Sequence, residues 1–170
     1  MEGFIVDIED RIDIIINSDS EEEIEEALIF LYQKTINKNN SKDAQKKSKG
    51  TSFNGLLETK VLEKKSEFFS ALKKLLSHSN RDLVLRAVSL FDNFGSFSTG
   101  TRIQDAIGKC GAIETLIGLL FPRDHAASNN MEPKPIVLAL SNIIKNGSVK
   151  NGSAHSSFRT SCRLGSAYAE

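Results

Sequence analysis

One pattern of apolar residues occurs three times along this 170-residue chain, and it constrains the fold more than any other feature. Residues 11–34 align without a gap on residues 71–94, at an offset of 60. The aligned apolar residues have the spacings 0, 3, 4 and then 0, 3, 4, 7, which place them on one face of a helix. They are Ile12, Ile15, Ile16, Ile24, Ala27, Leu28 and Leu31 in the first copy, and Leu72, Leu75, Leu76, Val84, Ala87, Val88 and Phe91 in the second.

A third copy begins at Thr115, where an offset of 44 aligns Leu116, Leu119 and Leu120 with the second copy. After eight additional loop residues the offset becomes 52, and the aligned apolar residues are Ile136, Ala139, Leu140 and Ile143. The insertions between copies fall in loops and spare the apolar stretches. The three copies therefore predict an all-α solenoid, in which each unit covers the apolar face of its neighbour.

Capping residues predict where several helices begin and end. Ser20 followed by Glu23 has the form of a capping box. Ser66 and Asn80 are in position to cap the helices that follow them. Gly95 stands where a left-handed C-cap is expected.

Other local signals are less uniform. The segment from Phe4 to Ile16 favours a helix, but its β-branched residues leave a strand open. Gly111 separates two short helical patterns, whose expected apolar faces are Ile103, Ala106, Ile107 and Cys110, then Ile113, Leu116, Ile117 and Leu120. Pro133 is compatible with the start of the last helix.

These patterns divide the chain into five stretches. Residues 1–36 are interpreted as a partial or capping repeat, 53–96 and 97–148 as one repeat each, 37–52 as a disordered polar-basic loop and 149–170 as a disordered tail. The tail offers no amphipathic helix as a polar cap. We therefore expect Ile144 or its neighbours to be exposed, and the chain to be a fragment, a truncated product or dependent on a partner.

The stretch CGAIETLIGLL follows the short helical pattern TRIQDAIGKC and precedes, past a loop, PIVLALSNIIKNG. This order resembles the three-helix unit of armadillo repeats, whose typical line runs through Gly-Ala-Ile/Val-x-x-Leu-hydrophobic-x-Leu-Leu and ends near Ala-Leu-Ser-Asn. The resemblance covers roughly residues 4–147. It implies a right-handed α-solenoid of about two and a half to three repeats, and a non-enzymatic scaffold or adaptor that binds another protein in a concave groove.

In such a unit the third helix lines the groove with the face that packing leaves free. The corresponding residues of this chain are Glu26, Phe30, Arg86, Leu90, Asn93, Leu138 and Asn142. Armadillo proteins that resemble importin-α carry a ladder of Trp and Asn there, which grips a lysine-rich peptide. Here Glu26, Arg86 and Leu138 replace the Trp, which disfavours an importin-like role and favours a helix or a mixed apolar-charged peptide. The alternative is that several of these residues only pack between repeats.

The stretch RDLVLRAVSLFDNFGSFSTGTRIQDAIGKCGAIETLIGLL, with the loop and helix that follow, also looks like part of the family of 26S proteasome non-ATPase regulatory subunit 5. That family consists of armadillo/HEAT-type chaperones that assemble the proteasomal ATPase base. The second resemblance implies a proteasomal ATPase subunit as the partner, and a chain that is one segment of a longer solenoid.

The sequence indicates no catalytic, cofactor or metal site. His78, His125 and His155 have no cysteine or carboxylate at ligand or triad spacing, and Cys110 and Cys162 have no zinc-site spacing. Cys110 is interpreted as a buried apolar residue.

Composition and apolar run length also indicate which kinds of partner the protein binds and where in the cell it is found. Two Tyr and no Trp offer little surface for stacking on nucleic acid. No apolar run reaches the ~20 residues of a membrane helix, and the N-terminus is acidic. These features predict a cytoplasmic or nuclear protein that binds neither nucleic acid nor a membrane.

Net charge is zero, yet acidic residues dominate the first 30 positions and lysines dominate 34–49. Such blocks can steer a charged partner. The alternative is a solvated helix face followed by a solvated linker.

Overall fold

Helices make up nearly all of the residues that the computed structural model describes, which are 2–36, 53–96, 102–121 and 132–146. Within these four ranges there is no β-strand, so the prediction of an all-α protein is confirmed. The strand alternative for the first segment is wrong. Its isoleucines lie along one side of a helix, where Ile8, Ile12 and Ile15 are buried.

The helices are numbered in chain order. They are α1 (Glu2–Asn17), α2 (Glu21–Ile36), α3 (Phe53–Glu63), α4 (Lys65–Leu75), α5 (Arg81–Gly95), α6 (Arg102–Lys109), α7 (Ala112–Leu120) and α8 (Pro133–Asn146). None of them is long and apolar enough to cross a membrane. The predicted loop 37–52 and tail 149–170 lie outside the described residues.

The start of α2 is capped by serine side chains, in a variant of the predicted capping box. Ser20 Oγ accepts a hydrogen bond from the Glu23 N–H at 3.4 Å. The Glu23 carboxylate accepts from the Ser18 hydroxyl at 2.7 Å, and Ser18 Oγ accepts from the Ser20 N–H at 3.0 Å. Ser18 thus mediates the return half of the box, which a standard box makes directly.

The predicted caps of α4 and α5 have opposite outcomes. Asn80 caps α5, since its side chain accepts from the Asp82 N–H at 3.0 Å. Ser66 does not cap α4, because it already lies inside that helix, which begins at Lys65. Lys64 holds the cap position and makes no capping hydrogen bond through its side chain.

The helices pack in two rows. One row consists of α2, α5 and α8, with α5 in contact with both others, and α5 and α8 form the most extensive helix pair. The other row consists of α1, α4 and α7, and the two rows meet in the pairs α1–α2, α4–α5 and α7–α8. Helices α3 and α6 touch each other and both contact α4. One continuous core lies between the rows.

Four phenylalanines from α4 and α5 occupy the middle of this core. Phe68 and Phe69 each meet Phe94 edge to face, with centroids 5.8 and 5.9 Å apart, and Phe69 stacks on Phe91 at 6.4 Å. All four rings are fully buried. Aromatic pairs of this geometry stabilise a core by more than the burial of their apolar area alone.

Helix α5 is buried over a wider arc than its repeat pattern predicts. The predicted Val84, Ala87, Val88 and Phe91 are buried, and so are Leu83, Leu90 and Phe94. In contrast, some residues in and beside α6 and α7 are less buried than predicted. Ala106, Cys110, Ile117 and Leu120 are only half-buried, and among the described helices none packs beyond α7 in its row.

Electrostatic contacts join α1 to the corner between α3 and α4. Lys60 Nζ lies 2.6 Å from Glu9, and Lys64 pairs with Asp13. Hydrogen bonding to Glu9 and Glu63 raises the pKa of Lys60, and hydrogen bonding to Asp13 raises that of Lys64. Folding raises the pKa of both lysines. Any stability that their ion pairs contribute is therefore present at neutral pH, and it is lost only when the pH rises above the raised pKa values.

Gly95 does not adopt the predicted left-handed conformation. It is the last residue of α5, and Gly111, at φ 76°, is the one described glycine with positive φ. Gly95 is required for a different reason, namely the approach of α8. A Cβ built on Gly95 would lie 2.9 Å from Cγ1 and from the backbone nitrogen of Ile143.

Gln104 is buried, although its position in the sequence gave no sign of this. Its Nε2 donates to the carbonyls of Phe94 at 3.2 Å and Gly95 at 3.1 Å. These carbonyls end α5 and cannot be satisfied within the helix. Gln104 therefore joins α6 to the end of α5.

We predict that Gly95→Ala destabilises the chain by about 1–3 kcal/mol, because the new methyl group overlaps the α8 backbone. Gly118→Ala is the matched control. Gly118 is helical and a Cβ there meets no atom within 4 Å, so this change is expected to stabilise by roughly 0.5–1 kcal/mol. Urea unfolding of both variants measures the effects. Equal stability of the two variants would contradict a close α5–α8 approach.

Candidate protein-interaction surface

The solvent-facing side of α2, α5 and α8 forms a continuous surface, which we call the row surface. Its residues are Ile29, Tyr32, Leu85, Arg86, Ser89, Val137, Leu138 and Ser141. In the repeat alignment, Leu85 corresponds to Val137 and Ser89 to Ser141. The surface includes the two seams at which α5 packs against α2 and against α8, which we call the first and the second groove.

The first groove, between α2 and α5, is crossed by polar contacts. It is lined by Ile29, Tyr32, Asp82, Leu85, Arg86 and Ser89. Arg86 of α5 reaches across the groove to Glu25 of α2, with Nε at 2.9 Å and Nη2 at 2.8 Å from the same carboxylate oxygen. Further along, Asn93 Nδ2 donates to the hydroxyl of buried Thr35 at 2.7 Å. This groove is therefore bridged at two points by its own side chains.

The second groove, between α5 and α8, has a different composition. Asn142 Nδ2 donates to Asp92 at 2.7 Å and Asn146 Nδ2 to the Gly95 carbonyl at 2.8 Å, which fixes the C-terminal halves of both helices. Nearer their N-termini, the alignment places Leu85 at the position of Glu25, and Leu138 at that of Arg86. Two leucines thus replace the ion pair of the first groove.

Exposed apolar side chains occur beside this second groove. Leu138 is 47% exposed and Val137 42% exposed, the highest values for large apolar residues in the described part of the chain. Lys134 and Lys145 of the same helix are also exposed. The end of the row therefore combines an apolar patch with positive charge.

The structure divides the predicted groove residues into three groups. Leu90 is 0% exposed, so it belongs to the core and cannot line a surface groove. Glu26 and Phe30 interact with α1, since Arg11 lies 3.8 Å from the Glu26 carboxylate and 5.6 Å from the centre of the Phe30 ring. Lys34 covers the same ring at 5.3 Å.

The remaining predicted residues lie at the grooves themselves. Arg86, Asn93 and Asn142 connect neighbouring helices by the contacts given above, so they hold the row together. Only Leu138 is both on the row surface and largely exposed.

Sequence reasoning missed Ile29, Tyr32, Leu85 and Val137, because it placed the free face of each helix one residue too far along. One residue corresponds to about 100° around a helix. A signal was available in α5, where Leu83, Leu90 and Phe94 form a second apolar stripe beside the first. Those residues widen the buried side of α5, so that the solvent-facing side of this helix is centred near Leu85 and Ser89.

Possible catalytic groups occupy structural positions. His78 Nδ1 accepts from the Asn80 N–H at 3.1 Å, in the turn before α5. The Cys110 thiol donates to the Ile107 carbonyl at 3.1 Å, and burial raises its pKa, which disfavours the reactive thiolate. Among the described residues, no three His, Cys, Asp or Glu side chains are grouped so as to hold a metal. His125 and His155 lie outside those residues.

We predict that a leucine-to-alanine substitution lowers the free energy of unfolding much more in the core than on the row surface. Leu90→Ala should cost about 2–5 kcal/mol, because it leaves a cavity in the core. Leu138→Ala should change stability by less than about 0.5 kcal/mol, because that side chain is already half in water. Urea midpoints at an unchanged denaturant slope provide the measurement. A large loss for Leu138→Ala would show that Leu138 packs as a core residue.

Comparison of the chain with family models gives no match, and comparison with curated proteins gives no significant match. The function is therefore inferred from the chemistry of the row surface.

Proposed function

We propose that this chain is a non-catalytic scaffold or adaptor that binds another protein through the row surface. We also propose that its helices form an armadillo-like right-handed α-solenoid of about two and a half to three repeats. The pairs α1–α2, α4–α5 and α7–α8 support this arrangement, since each pair contacts the next through both rows. Repeats that stack in this way present one continuous surface to a partner.

The observation that carries the proposal is the exposed pair Val137 and Leu138 beside the second groove. Large apolar side chains that remain in water together beside a groove are typical of protein-binding sites. At the positions equivalent to Leu85 and Leu138, the first groove has the internal ion pair of Glu25 and Arg86, so these side chains are already satisfied. The second groove is therefore where a partner gains most by burying apolar surface.

The partner that fits best is an amphipathic helix or a mixed apolar-charged peptide. Its apolar side chains would pack against Leu85, Val137 and Leu138, and Ser89 and Ser141 offer hydroxyl groups for its polar flank. Positive charge at Lys134 and Lys145 favours acidic residues on that flank. We place this interaction in the cytoplasm or the nucleus.

We predict that Val137→Asp combined with Leu138→Asp abolishes partner capture. The two carboxylates would have to be buried against apolar groups, which is strongly unfavourable. Affinity purification of the tagged chain from cells, followed by mass spectrometry, would compare this variant with the unmodified chain. Circular dichroism would establish that the helices are retained.

Phe121→Asp is the matched control for this experiment. Phe121 is also exposed, at 38%, but it follows α7 and lies off the row surface. The proposal requires that a specific partner is lost from the double variant and retained by the control. Partners that are retained by both variants would contradict binding at the row surface.

The identity of the recovered protein discriminates between the roles that the resemblances imply. Proteasomal ATPase subunits would favour an assembly chaperone of the proteasomal base. Import receptors or membrane adaptors would favour a general adaptor.

A further inference from the structure

A second cleft shares no residue with the row surface. It lies where the junction of α3 and α4 faces α6, and we call it the basic cleft. Its lining residues are Leu62, Lys65, Arg102, Asp105, Ala106 and Lys109. Three of the four charged groups are cations, although the chain as a whole has no net charge.

The cations of the basic cleft differ from the lysines beside them. Lys60 pairs with Glu9 and Glu63, and Lys64 pairs with Asp13. Within the described ranges, no carboxylate forms an ion pair with Lys65, Arg102 or Lys109. These three cations form no ion pair with a carboxylate of the described residues and outnumber Asp105 in the lining, so they raise the local concentration of anions.

The cleft has a definite length, set by α6. Arg102, Asp105, Ala106 and Lys109 have the spacing 0, 3, 4, 7 and so lie on one face of that helix. Arg102 and Lys109 are seven residues apart, which is about 10 Å along the axis at 1.5 Å per residue. A single small anion cannot contact both ends. An extended peptide covers the same distance in about three residues.

The middle of the cleft combines one negative charge with apolar side chains. Asp105 lies between the two cations of α6, and Leu62 and Ala106 are half-buried apolar residues of the lining. Asp105 would repel the middle of a ligand with continuous negative charge, such as a nucleic-acid backbone. A peptide with two acidic residues separated by polar and apolar ones would be repelled less, because its charges lie further from Asp105.

We propose that the basic cleft binds an extended acidic segment of a partner protein. Two carboxylates of the segment pair with Arg102 and Lys109, with Lys65 adding attraction from the opposite wall. An apolar side chain between these carboxylates packs on Leu62 and Ala106. This site is separate from the row surface and does not depend on what binds there.

The test uses the full chain and a fluorescein-labelled peptide that contains Glu-Leu-Ser-Glu, with binding followed by fluorescence anisotropy at low salt. Arg102→Glu combined with Lys109→Glu should weaken binding about ten-fold or more, since two attractive pairs become repulsive. Asp105→Asn should strengthen binding by about two-fold or more, because it removes repulsion of the ligand. Affinity should fall as salt rises.

Lys74→Glu combined with Arg81→Glu is the matched control. It makes the same change in net charge at two exposed positions, near the end of α4 and at the start of α5, which belong neither to the cleft nor to the row surface. This variant should change affinity less than about two-fold. The row-surface variant Val137→Asp and Leu138→Asp should leave peptide binding intact, so failure of one site is distinguishable from failure of the other.

Four results would overturn the proposal. One is no binding of the peptide at low salt. Another is an equal loss of affinity in the cleft variant and the matched charge control, which would indicate an effect of net charge alone. The third is full competition by inorganic phosphate at the peptide's own concentration, which would indicate a single-anion site. The fourth is tighter binding of a single-stranded oligonucleotide than of the peptide, lost in the same cleft variant, which would assign the cleft to nucleic acid.

Discussion

The structure depends on the burial of α5 between α2 and α8. This helix contacts the core through the phenylalanines of α4, and it contacts a neighbour in its own row on either side. The α8 contact is so close that no side chain fits at Gly95. Because α2 and α8 are joined through α5, the position of α5 determines how the two grooves are formed. Interiors this tightly packed transmit small displacements, so both grooves are sensitive to the packing of one helix.

Burial on three sides also determines which side chains of α5 remain available. Leu85 and Ser89 keep partial exposure, and polar groups cross to each neighbour at Arg86 and Asp92. The two grooves then differ at equivalent positions, with an ion pair in the first and leucines in the second. Exposed ion pairs contribute little to stability, so the difference affects what each groove can bind more than how firmly the fold is held.

The repeat pattern in the sequence predicted the helices and most of the core, because apolar spacing reports directly which side of a helix avoids water. It predicted Leu90 and Gly95 wrongly, and it gave no prediction for Gln104. Each of these depends on a second element: Leu90 is buried by an additional apolar stripe, Gly95 by the approach of α8, and Gln104 by the carbonyls at the end of α5. The spacing of apolar residues within one helix does not report how closely other helices approach it. For the same reason, Leu138 is the one residue of the predicted groove that is exposed on the row surface.

The row surface and the basic cleft have complementary physical properties. Apolar contact of a partner with Val137 and Leu138 would give affinity that depends little on salt. The cations at Arg102 and Lys109 would act over about a Debye length and would affect mainly the rate and orientation of encounter. A partner with an acidic segment and an amphipathic helix could use both, and a linker that spans them would raise the effective concentration of the second contact. The basic cleft would then select the partner by charge, and the row surface would set how long it stays bound.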